Sequence, residues 1–89
     1  MIHPSSIISE SAKVDKSCYI GPFCVIGDNV EIGKYNRLIS HVSILGNTFI
    51  DKNNIFYPNA SIGSDPQDLK YQDEKSFLEI GNHNKFREN

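Results

Sequence analysis

The side chains best suited to chemistry fall into three groups along this 89-residue chain. His3, His41 and His83 are its histidines, and a histidine is the usual choice for a general base near neutral pH. Cys18 and Cys24 are its cysteines, candidates for a disulfide or a metal pair. The run Gln67-Asp68-Leu69-Lys70-Tyr71 brings together an amide, a carboxylate and an ammonium. An amide and a carboxylate can hydrogen-bond hydroxyls, and a lysine can attract phosphate or an acidic protein. A glycine-rich phosphate loop, a Gly-x-Ser-x-Gly elbow and a zinc-ligand pair are all absent from the sequence.

The elements that must position these groups are written in a six-residue period. Stepping by six from Ile2 meets Ile8, Val14, Ile20, Ile26, Ile32, Leu38, Ile44, Ile50, Phe56 and Ile62, all bulky and apolar. Four residues after these anchors come Ser6, Ala12, Cys18, Cys24, Val30, Val42, Thr48 and Ala60, small or β-branched, interrupted by Asn36 and Asn54. Gly21, Gly27, Gly33 and Gly63 follow their anchors directly. A helix needs apolar spacings of three and four, and alternating strands need two. A period of six predicts a parallel β-helix, in which three hexads complete one coil of a triangular prism. The anchors point inward and stack from coil to coil. The small residues also point inward, where the corner leaves little room. Glycine and asparagine are expected to supply the corner backbone angles, the asparagines being Asn29, Asn36, Asn47, Asn53, Asn54 and Asn59.

This frame sorts the candidate groups. Cys18 and Cys24 occupy equivalent repeat positions on successive faces, which predicts two small core residues and no disulfide. His41 precedes an inward Val42 and is expected to point outward. His83 sits in Gly-Asn-His-Asn, a turn context, and His3 at the start of the first coil. None of the three is expected to be a catalytic base.

The repeat breaks between Ser64 and Glu79. Its polar, proline-containing part, Ser64 to about Lys75, predicts a loop protruding from the prism, where a rigid scaffold places binding chemistry. On composition alone it serves equally well as a solvated connection. Ile62 and Ile80 lie eighteen residues apart, the length of one coil, and Ile80 and Phe86 resume the six-residue phase. The pattern is still running when the chain stops, so these residues are expected to be the amino-terminal coils of a longer solenoid.

Length allows one domain, residues 1–89. A net charge of −2 argues against nucleic-acid binding by bulk electrostatics. There is no apolar run long enough for a membrane span, and Met1-Ile2-His3-Pro4 does not open a signal peptide. A cytoplasmic location is the expectation.

The hexads resemble the hexapeptide-repeat family, whose members form left-handed parallel β-helices, so the fold class expected is all-β. The run from Ala60-Ser61-Ile62-Gly63 through Gln67-Asp68-Leu69-Lys70-Tyr71 is more specific. It resembles a signature of the acyl-carrier-protein–UDP-N-acetylglucosamine O-acyltransferases. Ile2-His3-Pro4, Ile20-Gly21-Pro22-Phe23-Cys24, Ser40-His41-Val42 and Leu78-Glu79-Ile80-Gly81 fit the same pattern.

That resemblance implies a homotrimeric enzyme of lipid A synthesis that uses no cofactor or metal. It transfers an (R)-3-hydroxyacyl chain from acyl carrier protein to the 3-hydroxyl of UDP-N-acetylglucosamine. It implies substrate-binding roles for Gln67, Asp68 and Lys70; an aromatic at Tyr71 serves either substrate contact or packing of the loop. It places the histidine base on a later coil, so the chain as it stands should be catalytically inert. Two other classes compete: another hexapeptide-repeat acyltransferase that makes N-acyl or O-acetyl products, and a non-enzymatic or γ-carbonic-anhydrase-like β-helix. The Gln67–Tyr71 segment argues against the first. Against the second, His3, His41 and His83 lack metal-ligand spacing.

Overall fold

The computed structural model describes residues 1–63 and 78–87. They form a left-handed parallel β-helix built from twelve short strands in three four-stranded parallel sheets. The first sheet stacks β1 (Ile7–Ile8), β4 (Val25–Ile26), β7 (Ser43–Ile44) and β10 (Ser61–Ile62). The second stacks β2 (Lys13–Val14), β5 (Val30–Ile32), β8 (Thr48–Ile50) and β11 (Leu78–Ile80). The third stacks β3 (Tyr19–Ile20), β6 (Arg37–Leu38), β9 (Ile55–Phe56) and β12 (Lys85–Phe86).

Register places like on like. Ile8, Ile26, Ile44 and Ile62 form one inward column. Val14, Ile32, Ile50 and Ile80 form the second. Ile20, Leu38, Phe56 and Phe86 form the third, with Ile2 bridging to Ile20 below. The Phe56 and Phe86 rings stack at 4.7 Å. Anchors of the middle coils are sealed: Ile20, Leu38, Ile44, Ile50 and Phe56 are each 0% exposed. Burying such a side chain contributes about 1.5–3 kcal/mol, which is how strands of two or three residues can persist. Cys18 and Cys24 are buried free thiols, as their repeat position predicts. Burial raises the Cys18 pKa, so its thiol stays protonated and donates to the Gly33 carbonyl.

Three expectations need correction. First, Ile80 does not stack on Ile62 one coil below. It pairs with Ile50, thirty residues back, whereas every earlier pair is separated by eighteen. The difference, 30 − 18 = 12 residues, is a two-hexad insertion that leaves the phase unchanged. The eighteen residues from Ile62 to Ile80 therefore advance the prism by one side and not by one coil.

Second, Asn36 and Asn54 are not corner residues. Both are 0% exposed and lie inside the prism. Of the other asparagines, Asn29, Asn53 and Asn59 adopt the positive φ expected of a corner, but beside Asn47 that conformation falls on Gly46.

Third, four of the left-handed corners carry neither glycine nor asparagine. Phe23, Tyr35, His41 and His83 have φ between 53° and 62°. All occur three residues after an anchor. Such a backbone costs a bulky residue about 1–2 kcal/mol. A hydrogen bond from the coil below offsets it. His41 N–H donates to Pro22 O at 3.0 Å and His83 N–H to Lys52 O at 3.3 Å. Gly21 serves close packing: a Cβ there would lie 1.8 Å from the Ile39 carbonyl oxygen.

Between the first and second coils the corner N–H groups are accepted by serine hydroxyls and not by backbone carbonyls. Ser5 Oγ accepts Phe23 N–H at 3.0 Å, Ser11 Oγ accepts Asn29 N–H at 3.0 Å, and Ser17 Oγ accepts Tyr35 N–H at 2.9 Å. The three serines are spaced by six, one per corner, and tie the first coil to the second.

Candidate functional site

The corner between the first and second sheets carries the insertion. In the third coil Leu45–Asn47 bridge β7 to β8 directly. One coil higher the chain leaves after Ile62 and returns at Leu78. Gly63 makes the exit: its φ is +87°, and a Cβ would lie 1.8 Å from the Leu45 carbonyl oxygen. The return is held by Leu78 N–H donating to Asn47 O at 2.8 Å. Exit and entry are thus clamped to the same three-residue corner beneath them. The inward Thr48 braces that corner by donating to Leu45 O at 3.0 Å.

Gln67, Asp68, Lys70 and Tyr71, and the loop expected from Ser64 to about Lys75, lie outside the described residues. What the described residues establish is the platform. Below the exit, Asp28 accepts hydrogen bonds from Ser9 Oγ and, at 3.5 Å, from Ser11 Oγ. On the outer face of the second sheet an open groove of about 390 Å³ runs past Lys13, Asp15, Glu31, Lys34 and Phe49. Ser17 holds the Asp15 carboxyl below its ordinary value, through its hydroxyl first and its backbone N–H second.

The histidines are dispersed. His3 Nδ1 is engaged by Ser5, whose N–H donates at 3.1 Å and whose hydroxyl lies at 2.8 Å. His41 is exposed, as its repeat position predicts, with its ring 5.1 Å from that of Phe23 on the same corner. His83 is exposed on a different corner. Among the described residues no group of three or more His, Cys, Asp or Glu side chains is placed to hold a metal. Nor is any helix among them long and apolar enough to cross a membrane. Two arginines lie over outward-facing rings, Arg87 at 4.2 Å from Tyr57 and Arg37 at 5.7 Å from Tyr19. Sequence reading passed over both pairs; an eighteen-residue offset on one face is the signal for Tyr19 and Arg37.

The family described as the GMPPB C-terminal domain matches residues 2–67. The chain belongs to that family. Its match covers the hexads from Ile2 through β10 and stops before β11. Curated relatives extend the likeness across the insertion to the last coil. The acyl-carrier-protein–UDP-N-acetylglucosamine O-acyltransferase of Psychrobacter sp. is 49% identical over 87 residues, covering 98% of this chain and 34% of the relative. The protein of the same name from Thermodesulfovibrio yellowstonii is 51% identical over the same coverage. Solved structures agree in fold. The UDP-N-acetylglucosamine O-acyltransferase of Moraxella catarrhalis superposes with a TM-score of 0.87 at 52% identity, covering 98% of this chain and 34% of that one. The Francisella novicida UDP-N-acetylglucosamine acyltransferase gives a TM-score of 0.87 at 49% identity, with 99% and 32% covered. The resemblance of the Ala60–Tyr71 motif thus extends over nearly the whole chain. The chain spans about a third of the length of the curated relatives it matches.

Proposed function

We propose that these coils belong to an acyltransferase that moves an (R)-3-hydroxyacyl chain from acyl carrier protein to the 3-hydroxyl of UDP-N-acetylglucosamine, the first step of lipid A synthesis. The observation that carries this reading is a single insertion in an otherwise regular prism. It leaves at Gly63, returns at Leu78, and bears Gln67, Asp68 and Lys70 in a chain about half identical to O-acyltransferases of that name.

In this reading the sugar hydroxyl attacks the thioester carbonyl, and the carrier's thiol departs. Asp68 and Gln67 accept or donate hydrogen bonds to substrate hydroxyls and amides, and Lys70 attracts phosphate or the acidic carrier. The reaction calls for no metal or organic cofactor. A base must take the hydroxyl proton. In this reading none of His3, His41 and His83 is that base, which lies on a later coil of the full-length protein. The working assembly is a cytoplasmic homotrimer.

The test is hydroxyacyl transfer by the full-length protein, followed by product mass. Asp68→Asn and Lys70→Ala should each lower kcat/KM by about tenfold to a hundredfold, the scale of one lost charge-assisted contact. Wild-type activity in both variants would remove the insertion from the substrate site. No product from the unmodified protein would sink the reading as a whole. Turnover by the 89-residue chain alone would overturn the assignment of the base.

A further inference from the structure

The two-hexad insertion creates a problem that the hydrophobic pattern does not solve. Every anchor has the same six-residue phase, so Ile80 is in phase with Ile50, Phe56 and Ile62 alike. Stacking on Ile62 would make Asp68 and Glu74 the two intervening inward anchors, and burying two unpaired carboxylates is prohibitively costly. That leaves two sides of the prism on which the returning strand could land. Both present large apolar anchors, and register is weakly specified where neighbouring choices bury similar surface.

We infer that Asn54 is the latch that selects the landing side after the insertion. It lies inside the prism, one coil below the turn that joins β11 to β12, and is completely buried. Its amide holds the returning coil at two backbone points. Asn54 Oδ1 accepts Asn84 N–H at 2.8 Å, and Asn54 Nδ2 donates to Gly81 O at 2.8 Å. The latch is itself anchored from below. Asn36 Oδ1 accepts both Asn54 N–H at 2.9 Å and Asn54 Nδ2 at 3.0 Å. Asn36 Nδ2 in turn donates to Gly33 O at 2.8 Å and Asp51 O at 2.5 Å.

The competing side has nothing equivalent. Had Ile80 landed on Phe56, Asn84 would meet Ala60, whose side chain has no acceptor, above an equally apolar Val42. There Ala60 N–H is satisfied within its own turn, by Tyr57 O at 3.1 Å, and an Asn84 N–H landing above it would have the same turn bond but no side chain of the coil below to join it. The asparagine column adds two hydrogen bonds between coils on one side and none on the other, which converts two near-equivalent apolar sites into one preferred site. This inference does not rest on the acyl-transfer reading.

The test reads the landing side directly in the full-length protein. Residue 79 pairs with residue 49 across the outer face of the second sheet. On the competing side it would pair with residue 55. Adjacent strands lie within disulfide range. The double substitutions Phe49→Cys/Glu79→Cys and Ile55→Cys/Glu79→Cys are oxidised and the linked peptides quantified by mass. The first pair should link and the second should not. Asn54→Val and Asn54→Thr have nearly the same shape, but only threonine keeps an acceptor. The ratio of 49–79 to 55–79 product should fall about tenfold with valine, the scale of a buried hydrogen bond, and stay within about twofold with threonine. Equal ratios in the two variants would overturn the latch.

A second measurement needs no variant. The Asn84 amide should exchange with solvent deuterium as slowly as strand amides such as Ile50, although Asn84 is an exposed residue. Exchange at Asn84 as fast as at its exposed neighbour Asn82 would equally overturn the proposal.

Discussion

The hydroxyl of Ser17 accepts the backbone N–H of Tyr35, eighteen residues further on, at 2.9 Å. In the coils above, the same kind of corner N–H finds a backbone carbonyl. Ser5 and Ser11 repeat the arrangement on the other two corners. The first coil is therefore tied to the second at its corners by a row of side chains. Replacing Ser17 by alanine leaves a corner donor without its partner and should cost about 1 kcal/mol, as loss of a capping hydroxyl does elsewhere. Urea unfolding of Ser17→Ala should show a lower midpoint at unchanged slope, while Ser61→Ala, on the exposed outer face, should not move it.

Ser17 also hydrogen-bonds the Asp15 carboxylate through its hydroxyl at 2.6 Å and its N–H at 3.0 Å, which lowers the Asp15 pKa. A carboxyl depressed in the folded state adds stability above its unfolded value, ordinarily 3.8, and that contribution disappears as pH falls through the folded value. Carboxyl chemical shifts followed against pH should show Asp15 titrating below the ordinary range, and Ser17→Ala should move its midpoint upward. An unchanged midpoint in the variant would assign the shift to another cause.

Tyr35 holds φ at 62° with 59% of its surface exposed, so it bears left-handed strain without being needed by the core. Asn53, one coil above on the same corner, already carries the residue type that tolerates this conformation. Tyr35→Asn should raise stability by about 0.5–1 kcal/mol. A loss of stability on thermal unfolding would mean that the aromatic ring contributes more than the backbone strain removes.

Gly21 lies in the opposite regime. Its missing Cβ is occupied by the Ile39 carbonyl oxygen, a backbone atom that cannot rotate away. Gly21→Ala should destabilise by about 3 kcal/mol, the upper range for overpacking. At Gly81 a Cβ would meet nothing within 4 Å, so Gly81→Ala should fall within about 0.5 kcal/mol of wild type. Equal effects at the two positions would show that the close approach at Gly21 relaxes at little cost.

The hexad period made the prism, its inward anchors and the buried cysteines legible, because which face a residue presents is decided by its own strand and corner. The outward orientation of His41 and the turn at His83 follow from the same rule. The corner angles were only partly legible: the rule that glycine and asparagine take left-handed φ is a preference, and the coil stack overrides it at Phe23, Tyr35, His41 and His83. The serine row was visible as Ser5, Ser11 and Ser17 in one register. Its meaning needed the knowledge of which donors lie above.

By itself, then, the sequence determined a parallel β-helix, the inward position of each hexad anchor and an interruption after Ile62. It excluded the Ile62 side, where Asp68 and Glu74 would have to be buried, but could not choose between the other two, which look alike to a periodic pattern. Only the tertiary structure decided that, through contacts thirty residues apart: Ile80 on Ile50, Phe86 on Phe56, and Asn84 N–H on the Asn54 amide. A period is a local property of the chain; the choice among equivalent sides belongs to hydrogen bonds that exist only once the coils are stacked.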